Sequence, residues 1–201
     1  MITRFNVVAV QESRRKPVAL KRLMATLGPH WQVIISDVTE GSAGNGERLA
    51  FLYESNRVQP SGLVGEIVLT PLGDDPKRQF ARTPYTASFS RAGVEFTLAS
   101  VHILWGKKPA ERLPEITAFA QWMRDWAVRP NDWNSNLIVL GDFSLDRIGD
   151  PLYEAFISTG LWPPAELNAA PGRFSMTTRP GTSTTSSPGS PNPTALPCSG
   201  A

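Results

Sequence analysis

Hydrophobic and polar positions along the first 170 residues follow two periods. Asn6-Val7-Val8-Ala9-Val10 is an apolar run that breaks at Gln11-Glu12, the pattern of a buried strand with polar residues at its C-terminal end. From Val18 onward the spacing turns helical. Leu20, Leu23, Met24 and Leu27 share one face, and Gly28-Pro29 closes the segment. Strand-like runs follow at 31–36, 48–53, 67–70, 85–89 and 94–103, the first two separated by a glycine-rich loop. The spacing predicts a helix over 110–127, where Ile116, Phe119, Ala120, Met123 and Ala127 form one apolar stripe. Leu137-Ile138-Val139-Leu140 predicts a further buried strand, bounded by Gly141-Asp142, and Pro151 opens a short helix over 150–159. Several adjacent strands with few helices between them predict an α/β (α+β) fold of packed sheets rather than a simple βαβ repeat.

The pattern stops at Pro171. Residues 171–201 are mostly Pro, Gly, Ser and Thr, and Phe174 and Leu196 are their only large branched or aromatic apolar residues. Such a stretch buries too little to offset its ordering entropy, so the expected organisation is one domain over 1–170 and a disordered tail over 171–201. A domain of that length buries roughly two-thirds of its unfolded surface.

Charge alters the picture only slightly. The chain has 20 Lys+Arg against 18 Asp+Glu, net +2, and the two charges of the tail are Arg173 and Arg179. Residues 1–170 are therefore neutral, which excludes a histone-like cationic protein and gives no overall argument for nucleic-acid binding. No run approaches the roughly 20 apolar residues of a membrane span, and the first ten residues lack the layout of a secretory signal. A cytoplasmic and a secreted location both stay open. The single cysteine, Cys198, excludes a disulfide framework, and the two histidines, His30 and His102, exclude a multi-histidine metal site.

Three predicted strands end in functional groups: Val10-Gln11-Glu12, Ser100-Val101-His102 and Leu140-Gly141-Asp142. Strand ends lie at the rim of a sheet, so these groups can converge on one pocket. Singly, each has an ordinary explanation as a turn, a cap or a satisfied rim histidine. Glu47-Arg48 would be a surface ion pair of little energy, and Arg82 a solvated loop residue.

Taken in order, the segments Val7-Val8-Ala9-Val10-Gln11-Glu12, Glu47-Arg48-Leu49-Ala50-Phe51-Leu52-Tyr53, Arg82-Thr83-Pro84, Ala99-Ser100-Val101-His102 and Ile138-Val139-Leu140-Gly141-Asp142-Phe143 resemble the endonuclease/exonuclease/phosphatase superfamily. The resemblance covers roughly residues 1–160. The Glu-Arg pair leading an aromatic-rich strand is similar to the deoxyribonuclease I branch. The abasic-site branch carries a lysine two residues after its Gln-Glu, where this chain has Arg14.

The resemblance implies a four-layer sandwich of two mixed sheets flanked by helices, incomplete at both ends, and metal-assisted phosphodiester hydrolysis. It gives Glu12 the role of metal ligand, for Mg²⁺ with Mn²⁺ or Ca²⁺ as alternatives; hard cations favour one or two carboxylates plus waters. It makes His102 catalytic, with Glu47 orienting its imidazole in one tautomer for proton donation. Asp142 would position the attacking water or the phosphate, and the Arg82 fork would hold phosphate oxygens, with Ser144 beside them. The implied partner is DNA or another phosphodiester, bound by a monomer with no membrane role. A relative that binds phosphate or nucleic acid without hydrolysis, and a lipid or inositol phosphatase, are alternatives on the same residues.

The chain also departs from the pattern. Ser144 stands where the family has the asparagine of its Gly-Asp-Phe-Asn motif. The first asparagine-bearing strand, the Tyr-Asp strand and the Ser-Asp-His segment with a second histidine have no counterpart. Read in a shifted frame from about Arg173, the codons of 181–191 permit His-Phe-Tyr-Asp-Gln-Leu-Ala-Trp-Phe-Thr, similar to the missing strand. A changed reading frame is therefore the expected origin of the tail. Without these pieces, weak Mg²⁺ binding, marginal folding and impaired cleavage are expected.

Overall fold

The computed structural model describes residues 2–40, 46–70, 80–130 and 136–164, together with the backbone of 176–178. Most of the segment expected to be a disordered tail, and the codons proposed to be frame-shifted, lie outside the described residues. After a short turn at Ile2–Arg4, the order is β1 (Val7–Arg14), α1 (Val18–Leu27), β2 (Trp31–Ile35), β3 (Glu47–Glu54), β4 (Gln59–Glu66), β5 (Tyr85–Arg91) and β6 (Val94–His102). Then come α2 (Pro109–Ala127), β7 (Leu137–Asp142), α3 (Pro151–Ile157), β8 (Leu161–Trp162) and β9 (Met176–Thr178).

Two sheets form among these residues. One is antiparallel in the order β1-β3-β2; the other is mixed, in the order β4-β5-β6-β7-β9-β8, with β6 and β7 parallel. Alternation along the strands decides what each face meets. On β3, Leu49 and Phe51 point into the space between the sheets, where they meet Tyr85, Ala87, Phe89 and Leu98, while Ala50 and Leu52 face the other way onto Leu20 of α1 and Trp31. On β6, Leu98 faces the inter-sheet core and Ala99 and Val101 face α2, where Ile116, Phe119, Ala120 and Met123 of the predicted stripe are wholly buried. The layers are thus helix, sheet, sheet and helices, the four-layer sandwich expected from the sequence. Phe51 packs against both Tyr85 and Phe89 with ring centroids 6.0 Å apart, which ties the two sheets together.

One element differs from the sequence expectation. The sequence predicts a strand over 67–70, but the structure forms it over Gln59–Glu66, and 67–70 has no regular secondary structure. Pro60, Gly62 and Gly65 hide the strand from propensity. It sits at the sheet edge, where proline and a register shift between Pro60 and Val64 are tolerated. Ile67 is nonetheless buried and donates a single backbone bond to the Pro84 carbonyl. Of residues 171–201, Met176–Thr178 run as a short strand between β7 and β8.

Candidate active site at the strand-end rim

Strand direction brings the candidate residues to one rim. β6 and β7 are parallel and end together, with His102 in register with Asp142. β5 is antiparallel to β6, so its beginning, just after Arg82, lies at that same end. In the other sheet β1 runs antiparallel to β3, which places the last residues of β1, Glu12 among them, beside the start of β3 at Glu47. Five strands thus deliver Glu12, Glu47, Arg82, His102 and Asp142 to the same edge of the sandwich.

The Glu47 carboxylate is the hub. Arg82 holds it with both prongs, Nε donating to Oε2 at 2.6 Å and an Nη to Oε1 at 3.0 Å. The same Oε2 lies 3.3 Å from Nδ1 of His102, although the imidazole is turned out of line for a hydrogen bond and its Nδ1 has no partner among the described residues. The other ring nitrogen, Nε2, faces Glu12, whose Oε1 is 4.0 Å away. His102 is 8% exposed, whereas the Glu12 side chain is 72% exposed. The imidazole therefore sits in the wall of the site and the Glu12 carboxylate stands open to solvent.

Gln11 is a residue the sequence reading quoted but gave no role. Its side-chain amide donates to the Val101 carbonyl and to Ser100 Oγ, and its carbonyl accepts from the Asp142 backbone N–H at 3.1 Å. It thereby stitches the end of β1 to β6 and β7 across the two sheets. A bulge makes this possible: between Val10, paired with Ala50, and Ser13, paired with Arg48, both Gln11 and Glu12 oppose one residue of β3. Glu12 takes a φ of 57° there, a conformation that non-glycine residues rarely adopt and that concentrates at functional sites. Gly141 adjoins the same junction with φ of 141°, and a Cβ there would collide with the Val101 carbonyl and the Gln11 amide. Only glycine lets β7 pass this close.

Two expected substrate contacts are otherwise engaged. Ser144 is 5% exposed, its Oγ donates to the Ile103 carbonyl at 3.0 Å, and its N–H donates to Asp142 Oδ1 at 2.9 Å. With φ of 50°, it shapes the loop after β7. Arg82 commits two of its nitrogens to Glu47 and is itself mostly buried. Asp142 is exposed, and one of its carboxylate oxygens holds the Ser144 N–H.

Two residues of α2, neither singled out by the sequence, brace the rim. Glu115 accepts from the backbone N–H groups of Ala81 at 2.9 Å and Leu104 at 3.1 Å, so one carboxylate fixes the segments carrying Arg82 and His102. Burial pushes the Glu115 carboxyl above its ordinary range, opposed by the hydrogen bonds from Leu104 and Ala81 and by the charge of Arg82. Arg112, 3% exposed, grips Asp146 with two nitrogens at 3.1 and 3.0 Å and donates to the Ser144 carbonyl. Its guanidinium lies 4.5 Å from the ring centre of Trp105, which is 65% exposed. The one sequence signal for these residues was the placement of charge beside the buried stripe of a long helix.

Among the described residues no three His, Cys, Asp or Glu side chains group closely enough to form a metal cage. The rim offers oxygen donors, Glu12 and Asp142, with no thiolate and a single imidazole. That donor set fits a hard, water-rich cation such as Mg²⁺ and not a zinc site.

No family model matches the chain. It is similar to a deoxyribonuclease of Thioalkalivibrio sp. (strain K90mix), 33% identical over 149 residues, which is 70% of this chain and 38% of that relative. Among solved structures, the human Nocturnin catalytic domain with bound sulfate anion superimposes with a TM-score of 0.63 and 15% identity, over 87% of this chain and 68% of that one. An endonuclease/exonuclease/phosphatase family protein from Bacteroides thetaiotaomicron gives 0.57 and 20% identity, over 78% and 55%. D. rerio TDP2 complexed with single strand DNA product gives 0.55 and 16%, over 81% and 56%. The fold is that of the DNase I-like class. The chain shares its fold with an endonuclease/exonuclease/phosphatase family protein, and it spans 38% of the length of the curated relative it matches.

Proposed function

We propose that this chain carries the catalytic rim of a metal-dependent phosphodiester hydrolase of the deoxyribonuclease I-like branch, with DNA as substrate. The observation that carries the proposal is the Arg82–Glu47–His102 chain facing the open Glu12 carboxylate. Similarity to a deoxyribonuclease favours DNA over lipid or inositol phosphates.

Each residue has a task in this reading. Glu47, 3.3 Å from Nδ1, would orient the imidazole once the two come into line, so that Nε2 faces the reacting group and moves the proton there. Arg82, anchored by the same carboxylate, presents a pre-oriented positive charge to the phosphate oxygens as negative charge builds on them. Asp142 accepts a proton of the attacking water through the carboxylate oxygen that Ser144 does not hold. Glu12, with Asp142 nearby on the rim, would hold Mg²⁺ among waters; the bound ion supplies Lewis-acid polarisation and neutralises phosphate charge.

The test is nicking of supercoiled plasmid, alongside hydrolysis of bis(p-nitrophenyl) phosphate. Both activities are expected to need Mg²⁺, to stop with EDTA and to vanish in His102→Ala. A single histidine serves this rim, which favours, as a second reading, a relative that binds phosphate without cleaving it. Absence of both activities at saturating Mg²⁺ with nucleic-acid binding intact selects that reading.

A further inference from the structure

We infer that the cleft between the end of β1 and α1 is a binding site for the phosphate backbone of a nucleic-acid strand, gripped by Arg14, Lys16 and Arg22. The inference rests on the proposed nuclease reading and extends it from the scissile phosphate to its neighbours. The cleft, about 930 Å³, opens at Gln11 and Glu12, so one end of it is the catalytic rim itself. From there it follows β1 past the bulge and turns along the exposed start of α1.

Its charge is opposite to what the neutral domain would suggest. Glu12 is the one acid in the lining, against Arg14, Arg15, Lys16 and Arg22. Arg15 is paired with Glu40 at 2.7 Å, but Arg14, Lys16 and Arg22 are exposed and make no ion pair among the described residues. The first turn of α1 adds no acid either. Uncompensated like charges around a concavity repel one another and focus a positive potential, which a polyanion relieves. A sugar–phosphate chain leaving the rim at Glu12 meets these cations in succession. Discrete small phosphates fill one such position; only a polymer spans them.

Fluorescence anisotropy tests this with the full chain in EDTA, so that cleavage is off, using a labelled 12-nucleotide single strand and its duplex over a salt series. In Arg14→Ala/Lys16→Ala/Arg22→Ala, affinity at low salt is expected to drop at least tenfold. The plot of log affinity against log salt should flatten by about 2, the value for three lost phosphate contacts on a single strand. Arg91→Ala, an exposed arginine at the far end of β5, should leave both unchanged. Equal affinity and slope in the triple variant would overturn the inference. So would equal weakening by Arg91→Ala, or wild-type binding to phosphatidylserine vesicles as tight as to DNA. Hydrolysis of bis(p-nitrophenyl) phosphate separates the two proposals, because that substrate is too small to span from the rim to the cations of the cleft. Retained hydrolysis with unaltered DNA binding in the triple variant refutes the cleft and leaves the hydrolase standing. Cation-dependent DNA binding with no hydrolysis by wild type does the reverse.

Discussion

Glu47 places one carboxylate oxygen between two partners, 2.6 Å from Nε of Arg82 and 3.3 Å from Nδ1 of His102. Positioning of the imidazole and positioning of the arginine are therefore a single structural event. Glu47→Gln should slow small-diester hydrolysis roughly 10²-fold. The double variant Glu47→Gln/His102→Ala should be no slower than His102→Ala alone, because groups acting as a unit are non-additive. Losses that multiply in the double variant would show that Glu47 acts independently of His102.

Arg82→Lys should be nearly as slow as Arg82→Ala. The two-pronged grip on Glu47 needs a planar fork, and an ammonium can occupy one prong only. Rates within a few-fold of wild type in Arg82→Lys would mean that charge alone suffices there.

Glu115 makes stability depend on pH in a defined direction. Its carboxyl titrates above the ordinary value of 4.5 in the folded chain because burial disfavours the anion. An acid whose folded pKa is raised contributes its full stabilisation below the unfolded value and loses it as pH rises through the folded one. The melting temperature of wild type relative to Glu115→Gln should accordingly fall as pH is raised from about 4 through that titration. A difference that is flat or rises with pH would contradict the assignment.

Gly141→Ala should destabilise by about 2 kcal/mol or more, since the residue combines a φ of 141° with a Cβ position occupied by the Val101 carbonyl and the Gln11 amide. Urea unfolding reports this as a lowered midpoint at unchanged slope. A midpoint within 0.5 kcal/mol of wild type, about the scatter for innocuous surface changes, would mean the junction yields easily.

Mg²⁺ should bind more weakly than about 10 μM, near −7 kcal/mol. The open Glu12 carboxylate has no cage of three ligating side chains around it among the described residues, and Mg²⁺ gives up its waters reluctantly. Isothermal titration checks the constant, and Glu12→Ala should abolish the heat. A tighter constant that survives Glu12→Ala would put the ion elsewhere.

Much of this architecture could be read from residue patterns because burial and period coincide. Leu20 and Leu23 on α1, the Ile116–Met123 stripe on α2 and the uniformly apolar β7 each identify their element and the face it buries. The edge strand Gln59–Glu66 escaped because its glycines and proline are permitted only by an edge position, a fact of tertiary structure. The rim residues were legible as strand ends and by resemblance, but beyond Glu47 beside His102 their partners were not. That Arg82 spends its fork on Glu47, that Ser144 turns its hydroxyl to the Ile103 carbonyl, and that Glu115 holds Ala81 and Leu104 together all depend on contacts between distant segments. Local propensity carries no trace of them. The cations of the β1–α1 cleft were present in the sequence, yet their sum was hidden by acids elsewhere in a neutral domain.

The bulge in β1 acts on the chain as a change of phase. In an unbroken strand Gln11 and Glu12 would point to opposite faces, and only one could serve the rim. The extra residue lets consecutive side chains do so, and it resets the alternation for Ser13 and Arg14 beyond. Single substitutions in this segment alter one group each. Removal of one residue between Val10 and Ser13 would instead erase the bulge, leaving Ser13 and Arg14 opposite Arg48 and Glu47 but only one side chain where Gln11 and Glu12 now both serve the rim. Either the tie to β7 or the open carboxylate would then be lost to a lesion of three nucleotides, while the strand itself would still pair along its whole length.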